Sequence, residues 1–505
     1  MPYQLTCTNR IMLLNKKDVL HVFVVFSCLF PSTVITRAQQ KKNVPLASGV
    51  ASNRRHLRQC HQHHHAMAAE GKEQPAVRLA RLLKDKLVPR MVSRGVFGSA
   101  WQVQGVEAVP IGGQGEDYWS STTLATTLKL AEKSGNDKER SVALVVKCML
   151  PSAEFDVYSL SAVLADNEVA MYNKVFPFLE RLGDATDLYP KCYFAESDVE
   201  GLLSLTVMQD LRADGFSLAK ERVALDKNHV MLALRAVGRL HAFSYAAKAR
   251  CRREFLEHVV PLLSEPTYTP AWHARWSPIM AATMLRGVAR VEARLKDLKA
   301  VKDEGQHQRR LDGLARMRAV AQDAFPAMQA AVTAQEPAGV IVHGDFSRNN
   351  MTFHYGEDGL PDQVRFFDFQ TCRYCSPSVD LAFFIFMNTS PALRAEHWDA
   401  LFVEYFSSLK ATLDGLLDGH PVDEDFVMPT LQGVREDFRR HAIMSFIICS
   451  FFMPQMMMRK EDIVSMQEVM ETGGKVDSML RMGGEAATEV MAGIVLEFLD
   501  RDLVP

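Results

Sequence analysis

The chain has 505 residues, of which 48% are hydrophobic, so it can bury a large core and is long enough for more than one folding unit. Its 58 Lys and Arg residues nearly balance 60 Asp and Glu residues, so no overall positive field gathers nucleic acid or anionic lipid. Nine cysteines are scattered without the dense spacing of a disulfide framework, which favours a reducing compartment.

Residues 1–76 are predicted to form an N-terminal extension, either disordered or used for targeting. The first 60 residues contain nine Lys and Arg residues against a single Asp. The apolar run Val22 to Phe30 resembles the hydrophobic region of a signal peptide and is short for a bilayer span. A secretory signal, an organelle transit segment and an upstream extension with a working start at Met67 are the alternatives. We expect a cytoplasmic protein without a stable membrane span, although this segment leaves signal or transit targeting open.

From residue 77 the chain is predicted to have an α+β fold of two lobes, a small strand-rich lobe over 77–210 and a large helical lobe over 211–505. Alternating or helical spacing of apolar residues defines the elements of both lobes. In the first lobe they are the strands Thr122 to Leu130, Val142 to Met149 and Leu202 to Met208, and the helix Ser161 to Leu179. In the second they are the helices Asn228 to Ala246, Pro278 to Val301, Arg309 to Val332, Ala392 to Leu416, Arg435 to Met457 and Ala486 to Leu499. The apolar run Ile443 to Met458 is short for a membrane span, so we expect a buried helix there.

A region of short strands interrupts these helices, and polar residues of catalytic type lie in its turns. The predicted strands are Val340 to Val342, Asn350 to Phe353 and Val364 to Phe367. The spacing from His343 through Asp345 to Asn350 matches the His-x-Asp-x-x-x-x-Asn pattern of kinase catalytic loops. In that pattern the Asp accepts the proton of the substrate hydroxyl and the Asn binds magnesium. His343 is expected to brace the loop by hydrogen bonding.

Asp368, in the sequence Phe366-Phe367-Asp368-Phe369-Gln370, is predicted to be the second magnesium ligand, because Mg²⁺ prefers oxygen donors. Two alternatives to a kinase site are open for these His and Asp residues. Asp, Asn and Gly are common in turns, so each fragment alone could be structural. A His and Asp cluster could also serve metal-dependent phosphoester hydrolysis.

Three features that an ATP-binding site requires are found N-terminal to this catalytic segment. One loop contains three glycines, which would let main-chain amides approach phosphate oxygens; they are Gly112, Gly113 and Gly115. Lys147 is a charged residue in an apolar strand, as expected of a lysine that contacts the α- and β-phosphates. Glu168 is its expected ion-pair partner, with Glu180 in reserve. An ordinary turn, an edge-strand lysine and a solvated glutamate are the structural alternatives.

The segment Val207-Met208-Gln209-Asp210-Leu211 ends the last predicted strand of the first lobe. Adenine recognition can use main-chain groups, so Met208, Gln209, Asp210 and Leu211 are the predicted adenine-binding residues. A plain connection between lobes, with Asp210 capping the next turn, is the alternative.

Several sequence blocks resemble the ecdysteroid kinase-like (CHK kinase-like) family, which is related to choline kinases and aminoglycoside phosphotransferases. The blocks are GGQGEDYWSS from Gly112, LVVKCML from Leu144, NEVAMYNKVFPFLE from Asn167, VMQDL from Val207, GRLHAFS from Gly238, HGDFSRNN from His343 and FFDFQTCRYCSPSVDLAFFI from Phe366. The resemblance covers the chain from about residue 90 to beyond residue 460.

The resemblance implies a bilobal protein-kinase-like fold and assigns a role to each site residue. Asp345 would be the base, and Asn350 and Asp368 would bind magnesium. Lys147 with Glu168 would orient the phosphates, and Asp380 would support the catalytic loop. Two departures bear on the identity of the substrate: Phe346-Ser347 stands where many members have Leu-Trp, and Gln209 stands where Glu is usual.

We therefore expect an ATP- and Mg²⁺-dependent phosphotransferase with an alcohol group as acceptor. The acceptor would be a small organic molecule, such as a steroid-like alcohol or a choline-like or aminoglycoside-like compound, and nucleic acid is not an expected partner. Aromatic and methionine side chains of the helical lobe either line an apolar acceptor pocket or form core; they are Trp272, Trp276, Trp398, Met453 and Met456 to Met458.

Two further alternatives remain. A catalytically silent kinase-like binding or regulatory module would share the fold, although the intact Lys147, Asp345, Asn350 and Asp368 argue against it. A protein kinase is disfavoured, because Phe-Gln rather than Phe-Gly follows Asp368 and no Ala-Pro-Glu sequence is found.

Overall fold

The computed structural model of this chain describes residues 75–111, 121–134, 138–150, 160–221, 223–297, 303–458 and 480–504. All of them belong to one unit, Glu70–Pro505. The predicted extension over 1–76 lies outside the described residues as far as residue 74. The predicted phosphate loop, with Gly112, Gly113 and Gly115, also lies outside them.

A five-stranded antiparallel sheet with the order β1-β2-β3-β5-β4 forms the first lobe. The strands are β1 Trp101–Pro110, β2 Thr122–Glu132, β3 Glu139–Met149, β4 Cys192–Val199 and β5 Leu202–Gln209. The predictions for β2, β3 and β5 are confirmed to within a few residues, while β1 and β4 were not singled out. Because β3 is the central strand, its lysine does not lie at a sheet edge.

The side chains of β3 alternate between the two faces of the sheet, as the two-residue period of a strand requires. Leu144, Val146 and Cys148 are buried in a core behind the sheet. Leu79 and Met91 complete that core from helices that precede the sheet; these helices are α1 Pro75–Leu82 and α2 Val88–Ser93. Lys147 therefore points to the opposite face.

The face that carries Lys147 is covered by a helix between β3 and β4. It consists of α3 Ser161–Ala170, a π-helical turn Met171–Val175 and α4 Phe176–Glu180. This confirms the helix predicted at Ser161 to Leu179. Met149 of β3 packs against Leu164 and Ala165 of α3, which brings the helix close to the strand.

The second lobe is mostly helical. Its longer helices are α5 Lys227–Glu254, α6 Pro270–Lys296, α7 Glu304–Gln322, α8 Phe325–Val332, α9 Ser378–Asn388, α10 Pro391–Leu417, α11 Leu431–His441, α12 Ile443–Met456 and α13 Gly484–Asp500. A small β-rich lobe followed by a large helical lobe is the bilobal kinase-like α+β fold that the sequence predicts.

Two long helices expected from the sequence are each divided in the structure. The run Arg309 to Val332 becomes α7 and α8, because Asp323 adopts an extended conformation and a proline opens the next helix. The run Arg435 to Met457 is interrupted at Ala442, between α11 and α12. Apolar periodicity continues across such breaks, so it does not reveal them.

The predicted strand region lies between α8 and α9. It contains β6 Val340–Val342, β7 Met351–Tyr355, β8 Pro361–Phe366 and β9 Arg373–Cys375. Strand β6 pairs with β9, and β7 pairs with β8. The prediction for β6 is confirmed to the residue, whereas Asn350 lies in a 3₁₀ turn that precedes β7. The pairing of β6 with β9 brings the two predicted catalytic segments together.

Helix α12 is buried over most of its length, as predicted for the run Ile443 to Met458. Within the part of the chain that the structure describes, no helix is both long and apolar enough to cross a membrane.

Gly238 of α5 sets the close contact between α5 and α10. A Cβ atom at this position would lie 2.5 Å from the carbonyl oxygen of Tyr405, a main-chain atom that moves only with its helix. We expect Gly238→Ala to lower the free energy of unfolding by about 1–3 kcal/mol, because it overpacks a helix interface.

Gly493→Ala in α13 is the matched control, since no atom lies within 4 Å of its added Cβ. We expect this change to raise stability by about 0.5–1 kcal/mol through helix propensity. Denaturant titration of both variants checks the pair, and equal effects of the two substitutions would contradict the packing argument.

Candidate active site

The catalytic-loop candidate connects β6 to β7. The turn of this loop requires a glycine at position 344 for two reasons. Gly344 has a φ of +83°, and a Cβ atom there would lie 2.1 Å from the carbonyl oxygen of Thr371. The amide nitrogen of the Asn350 side chain donates to the Asp345 carboxylate at 2.8 Å and to the Asp345 carbonyl at 2.9 Å. The two residues that the sequence places five apart are therefore in direct contact.

Asp380, in the first turn of α9, anchors this loop from behind. Its two carboxylate oxygens accept hydrogen bonds from the main-chain amides of His343 and Gly344, each at 2.8 Å. Nε2 of His241 lies 3.2 Å from the same carboxylate. Burial alone would raise the pKa of Asp380, but the hydrogen bond and charge of His241, with further help from His343, lower it below its usual value. The structure thus places a buried, stabilised anion under the turn.

The side chain of His343 lies between the two catalytic segments. Its Nε2 atom is 3.0 Å from the carbonyl oxygen of Phe367, next to Asp368, and Nδ1 is 3.4 Å from the amide nitrogen of Asp345. Thr371 adds a hydrogen bond from its hydroxyl to the His343 carbonyl at 3.0 Å. These contacts fix the loop that contains Asp345 relative to the loop that contains Asp368.

Lys147 of β3 joins the lobes by contacting two carboxylates. Its Nζ atom lies 2.9 Å from both oxygens of Glu168 on α3 and 2.6 Å from Oδ1 of Asp368. Lys147 and Glu168 are buried, and Asp368 is partly exposed. Asp368 has a φ of +67°, a left-handed conformation that is costly for a residue other than glycine and is commonest at functional sites.

Glu180, the reserve partner, accepts a hydrogen bond from the hydroxyl of Tyr189 at 2.6 Å instead. The structure thus brings Lys147, Glu168 and Asp368 together and leaves Glu180 outside this group.

Burial and charge shift the ionisation of these groups in different directions. Burial lowers the pKa of Lys147, but the charges of Asp368 and Glu168 outweigh it and the net shift is upward. Burial raises the pKa of Glu168, and the charge of Lys147 offsets this only in part. Burial also raises the pKa of Asp345; His343 opposes that shift and the charge of Asp368 adds to it. Asp345 is therefore a stronger proton acceptor than an exposed aspartate.

The oxygen donors in the site fit a magnesium ion that also binds phosphate. Because Nδ2 of Asn350 is bonded to Asp345, its Oδ1 atom remains to bind a metal, and the Asp368 carboxylate is partly exposed. Among the described residues no group of three or more His, Cys, Asp or Glu side chains could hold a metal ion by itself. A metal at Asn350 and Asp368 would thus complete its coordination with phosphate oxygens and water.

The predicted adenine segment lies at the end of β5. The amides of Gln209 and Asp210 donate to the carbonyls of Lys191 and Ala143 at 2.8 and 3.1 Å, so these two amides are already bonded within the sheet. Asp210 also accepts from the amide of Arg212, and it caps the 3₁₀ turn Leu211–Asp214. Met208 is buried, and its sulfur lies 3.0 Å from the hydroxyl of Tyr172.

Two of the seven aromatic and methionine residues considered for an acceptor pocket belong to the core, and the other five are partly buried against it. Trp276 is 2% exposed and packs edge-on against Phe451, and Met453 is 3% exposed. Trp398 packs against Phe438 and beneath Arg501. The pocket hypothesis is wrong for Trp276 and Met453, whose side chains have almost no surface to offer a ligand.

Sequence reasoning missed one residue that the structure places beside the site. Asn167 precedes Glu168, is 1% exposed and hydrogen bonds to main-chain atoms of the second lobe. The sequence did contain a signal for Asn167, because this residue is the first of the family-like block NEVAMYNKVFPFLE.

A sequence model of the ecdysteroid kinase-like family matches residues 114–417, which is more than half of the chain. This chain belongs to the ecdysteroid kinase-like family. The matched range is narrower than the range from about residue 90 to beyond residue 460 over which individual blocks resemble the family. It contains the predicted site residues Lys147, Glu168, Asp345, Asn350 and Asp368. No curated protein matches the chain.

Solved structures similar to this ecdysteroid kinase-like chain include three phosphotransferases. A putative aminoglycoside phosphotransferase from Ralstonia eutropha is 12% identical, with a TM-score of 0.31 over 77% of this chain and 95% of that one. ADP-bound aminoglycoside phosphotransferase APH(2'')-Ib is 13% identical, with a TM-score of 0.28 over 72% of this chain and 99% of that one. A streptomycin–ATP–APH(2'')-IIa ternary complex is 12% identical, with a TM-score of 0.28 over 72% of this chain and 98% of that one.

Proposed function

We propose that this protein transfers the γ-phosphate of ATP to a hydroxyl group of a small organic acceptor. The proposal is carried by one observation: the lysine and carboxylates expected to bind nucleotide lie next to the loop that contains the expected base. Lys147 bridges Glu168 and Asp368 on one side, and Asp345 with Asn350 is held by Asp380 on the other. The contacts of His343 fix the separation of these groups. The match to the ecdysteroid kinase-like family supports the same conclusion.

The chemistry assigned to Asp345 is that of a general base. As the acceptor oxygen forms a bond to the γ-phosphorus, the bond from that phosphorus to the β-phosphate oxygen breaks, and the acceptor's proton passes to the Asp345 carboxylate. The products are a phosphorylated alcohol and ADP. The raised pKa of Asp345 suits this role, because a weaker acid is a stronger base.

Lys147 would bind the α- and β-phosphates, with Glu168 holding the ammonium in place. Asn350 and Asp368 would hold Mg²⁺, which supplies charge neutralisation of the β- and γ-phosphates. Lys147 contacts Oδ1 of Asp368 at 2.6 Å, so Mg²⁺ would share this carboxylate with the lysine. Met208, Gln209, Asp210 and Leu211 are proposed to border the adenine, and Gly112, Gly113 and Gly115 to cover the phosphates.

The function is tested by incubating the full chain with ATP labelled at the γ-phosphate, Mg²⁺ and a panel of alcohols. The panel contains steroid alcohols, suggested by the family name, together with amino alcohols and aminoglycosides. We expect label on one acceptor class, dependent on Mg²⁺ and strongly reduced with Asp345→Asn. Nucleotide binding without transfer to any acceptor would favour a silent module, and a lack of nucleotide binding would overturn the proposal.

Lys147→Met should weaken nucleotide binding. A hydrogen bond to a charged group contributes about 1.5–3 kcal/mol, so we expect binding of Mg-ATP to weaken about 10- to 100-fold. The substitution also leaves the carboxylates of Glu168 and Asp368 without their shared cation. Lys129→Met is the control, because Lys129 belongs to the same sheet and pairs with Glu107 at the surface. Calorimetric titration with Mg-ATP measures both variants, and equal affinities would refute the role of Lys147.

A further inference from the structure

Asn167 occupies a buried junction between α3 and the second lobe. Its side-chain amide exchanges two hydrogen bonds with the main chain of Ser264: Oδ1 accepts from the Ser264 amide at 3.0 Å, and Nδ2 donates to the Ser264 carbonyl at 2.8 Å. Nδ2 also lies 3.3 Å from the carbonyl oxygen of Gln370 and 3.2 Å from that of Cys372. An amide side chain is suited to this place because it presents a donor and an acceptor together.

The segments that Asn167 joins are those that position the proposed nucleotide-binding groups. Gln370 and Cys372 follow Asp368 in one tight turn, so Asn167 is tied to the loop that contains this carboxylate. A second tie is made at the start of the helix, where the Leu160 amide donates to the Pro266 carbonyl at 2.9 Å. Helix α3 is thus attached at two points to the segment from Ser264 to Pro266.

Glu168 is the next residue on α3 and points in a direction about 100° away from Asn167. Both of its carboxylate oxygens contact Lys147. The hydrogen bonds of Asn167 therefore fix both the rotation of α3 about its axis and the position of the helix along that axis at Glu168. They also fix the Asp368 loop relative to the same point. The positions of both carboxylates that contact Lys147 then depend on one buried amide.

We infer that Asn167 is a positioning residue, which holds Glu168 and Asp368 at the separation that Lys147 bridges. The inference rests on the proposed function, because its consequence is the affinity for nucleotide. Asn167 touches neither the phosphates nor the reacting atoms in this arrangement, and it acts through Glu168 and the Asp368 loop.

The test measures the affinity of the full chain for Mg-ATP by calorimetry, which needs no knowledge of the acceptor. We expect Asn167→Ala to raise the dissociation constant about 10- to 100-fold, since several hydrogen bonds of a buried amide are lost. Asn173→Ala is the matched control. Asn173 lies in the π-helical turn after α3 and donates one hydrogen bond to the Ala195 carbonyl at 2.9 Å, so its removal should change affinity less than about threefold.

A double-mutant cycle with Glu168→Gln separates positioning from a general effect on stability. If part of the effect of Asn167 passes through Glu168, adding Asn167→Ala to Glu168→Gln should weaken binding by a smaller factor than Asn167→Ala does in the wild type, and the remainder reports the effect through the Asp368 loop. Fully additive losses would overturn the inference, as would wild-type affinity in a folded Asn167→Ala variant. Asn167→Ser, which creates a smaller cavity, is the second variant; failure of both to fold would assign Asn167 a structural role and overturn the inference.

These experiments distinguish failure of the proposed function from failure of the inference about Asn167. If the proposed function is wrong, the wild-type chain itself will show no affinity for Mg-ATP.

Discussion

Asp345→Asn is expected to reduce phosphoryl transfer strongly while it preserves binding of Mg-ATP. The substitution keeps the size of the side chain and its contact with Asn350, but it removes the carboxylate that accepts the proton. Loss of a general base lowers turnover by about 10²- to 10⁴-fold. Single-turnover transfer with the acceptor found in the panel measures this loss, and calorimetry measures retained nucleotide binding. Turnover close to that of the wild type would exclude Asp345 as the base.

The pH dependence gives an independent check on Asp345. A base must be ionised to act, so kcat/KM should fall as the pH falls through the pKa of Asp345 in the free enzyme. Burial raises that pKa, whereas the charge of Mg²⁺ held at Asp368 would lower it, so the shift of the limb reports the balance of the two effects. An acidic limb that persists unchanged in the residual activity of Asp345→Asn would contradict the assignment.

Asp380→Asn is expected to reduce both stability and turnover. The carboxylate is fully buried and accepts hydrogen bonds from the amides of His343 and Gly344. An asparagine would present an NH₂ group to one of these donors, and the charge next to His241 would be lost. Removal of one member of a buried charged pair costs about 3–5 kcal/mol, and the turn that positions Asp345 would lose its anchor.

The pH dependence of stability follows from the lowered pKa of Asp380. A carboxyl group whose pKa is lower in the folded state stabilises the fold above its unfolded-state pKa, and this contribution is lost as the pH falls through the folded-state pKa. Acid unfolding of the wild type should therefore depend more steeply on pH than that of Asp380→Asn.

Asp437→Asn is the matched control for Asp380→Asn. Asp437 is also buried, has a lowered pKa and binds Ser376 and Ser378 at the start of α9. Its loss should reduce stability but leave the turnover of the folded protein within a few-fold of the wild type. Equal losses of turnover in the two variants would show that anchoring by Asp380 has no specific role.

The sequence was most informative where a site depends on local spacing. Asp345 and Asn350 lie five residues apart, and their contact is made within one turn. Lys147 could be recognised because a charge in an apolar strand has to find a partner when it is buried. The same argument named Glu168 as the expected partner but did not exclude Glu180, which directly follows the predicted helix Ser161 to Leu179.

By itself, the sequence determined that this chain has two lobes and that a lysine lies in an apolar strand, and it predicted the segment from His343 to Asn350 as the catalytic loop. Only the tertiary structure decided which glutamate reaches Lys147, that Trp276 packs in the core and that Asn167 lies between the lobes. The physical reason is that periodicity reports which residues are buried but not which distant residues they meet. The contact of Lys147 with Asp368 joins residues 221 positions apart, and only the packing of one lobe on the other brings them together.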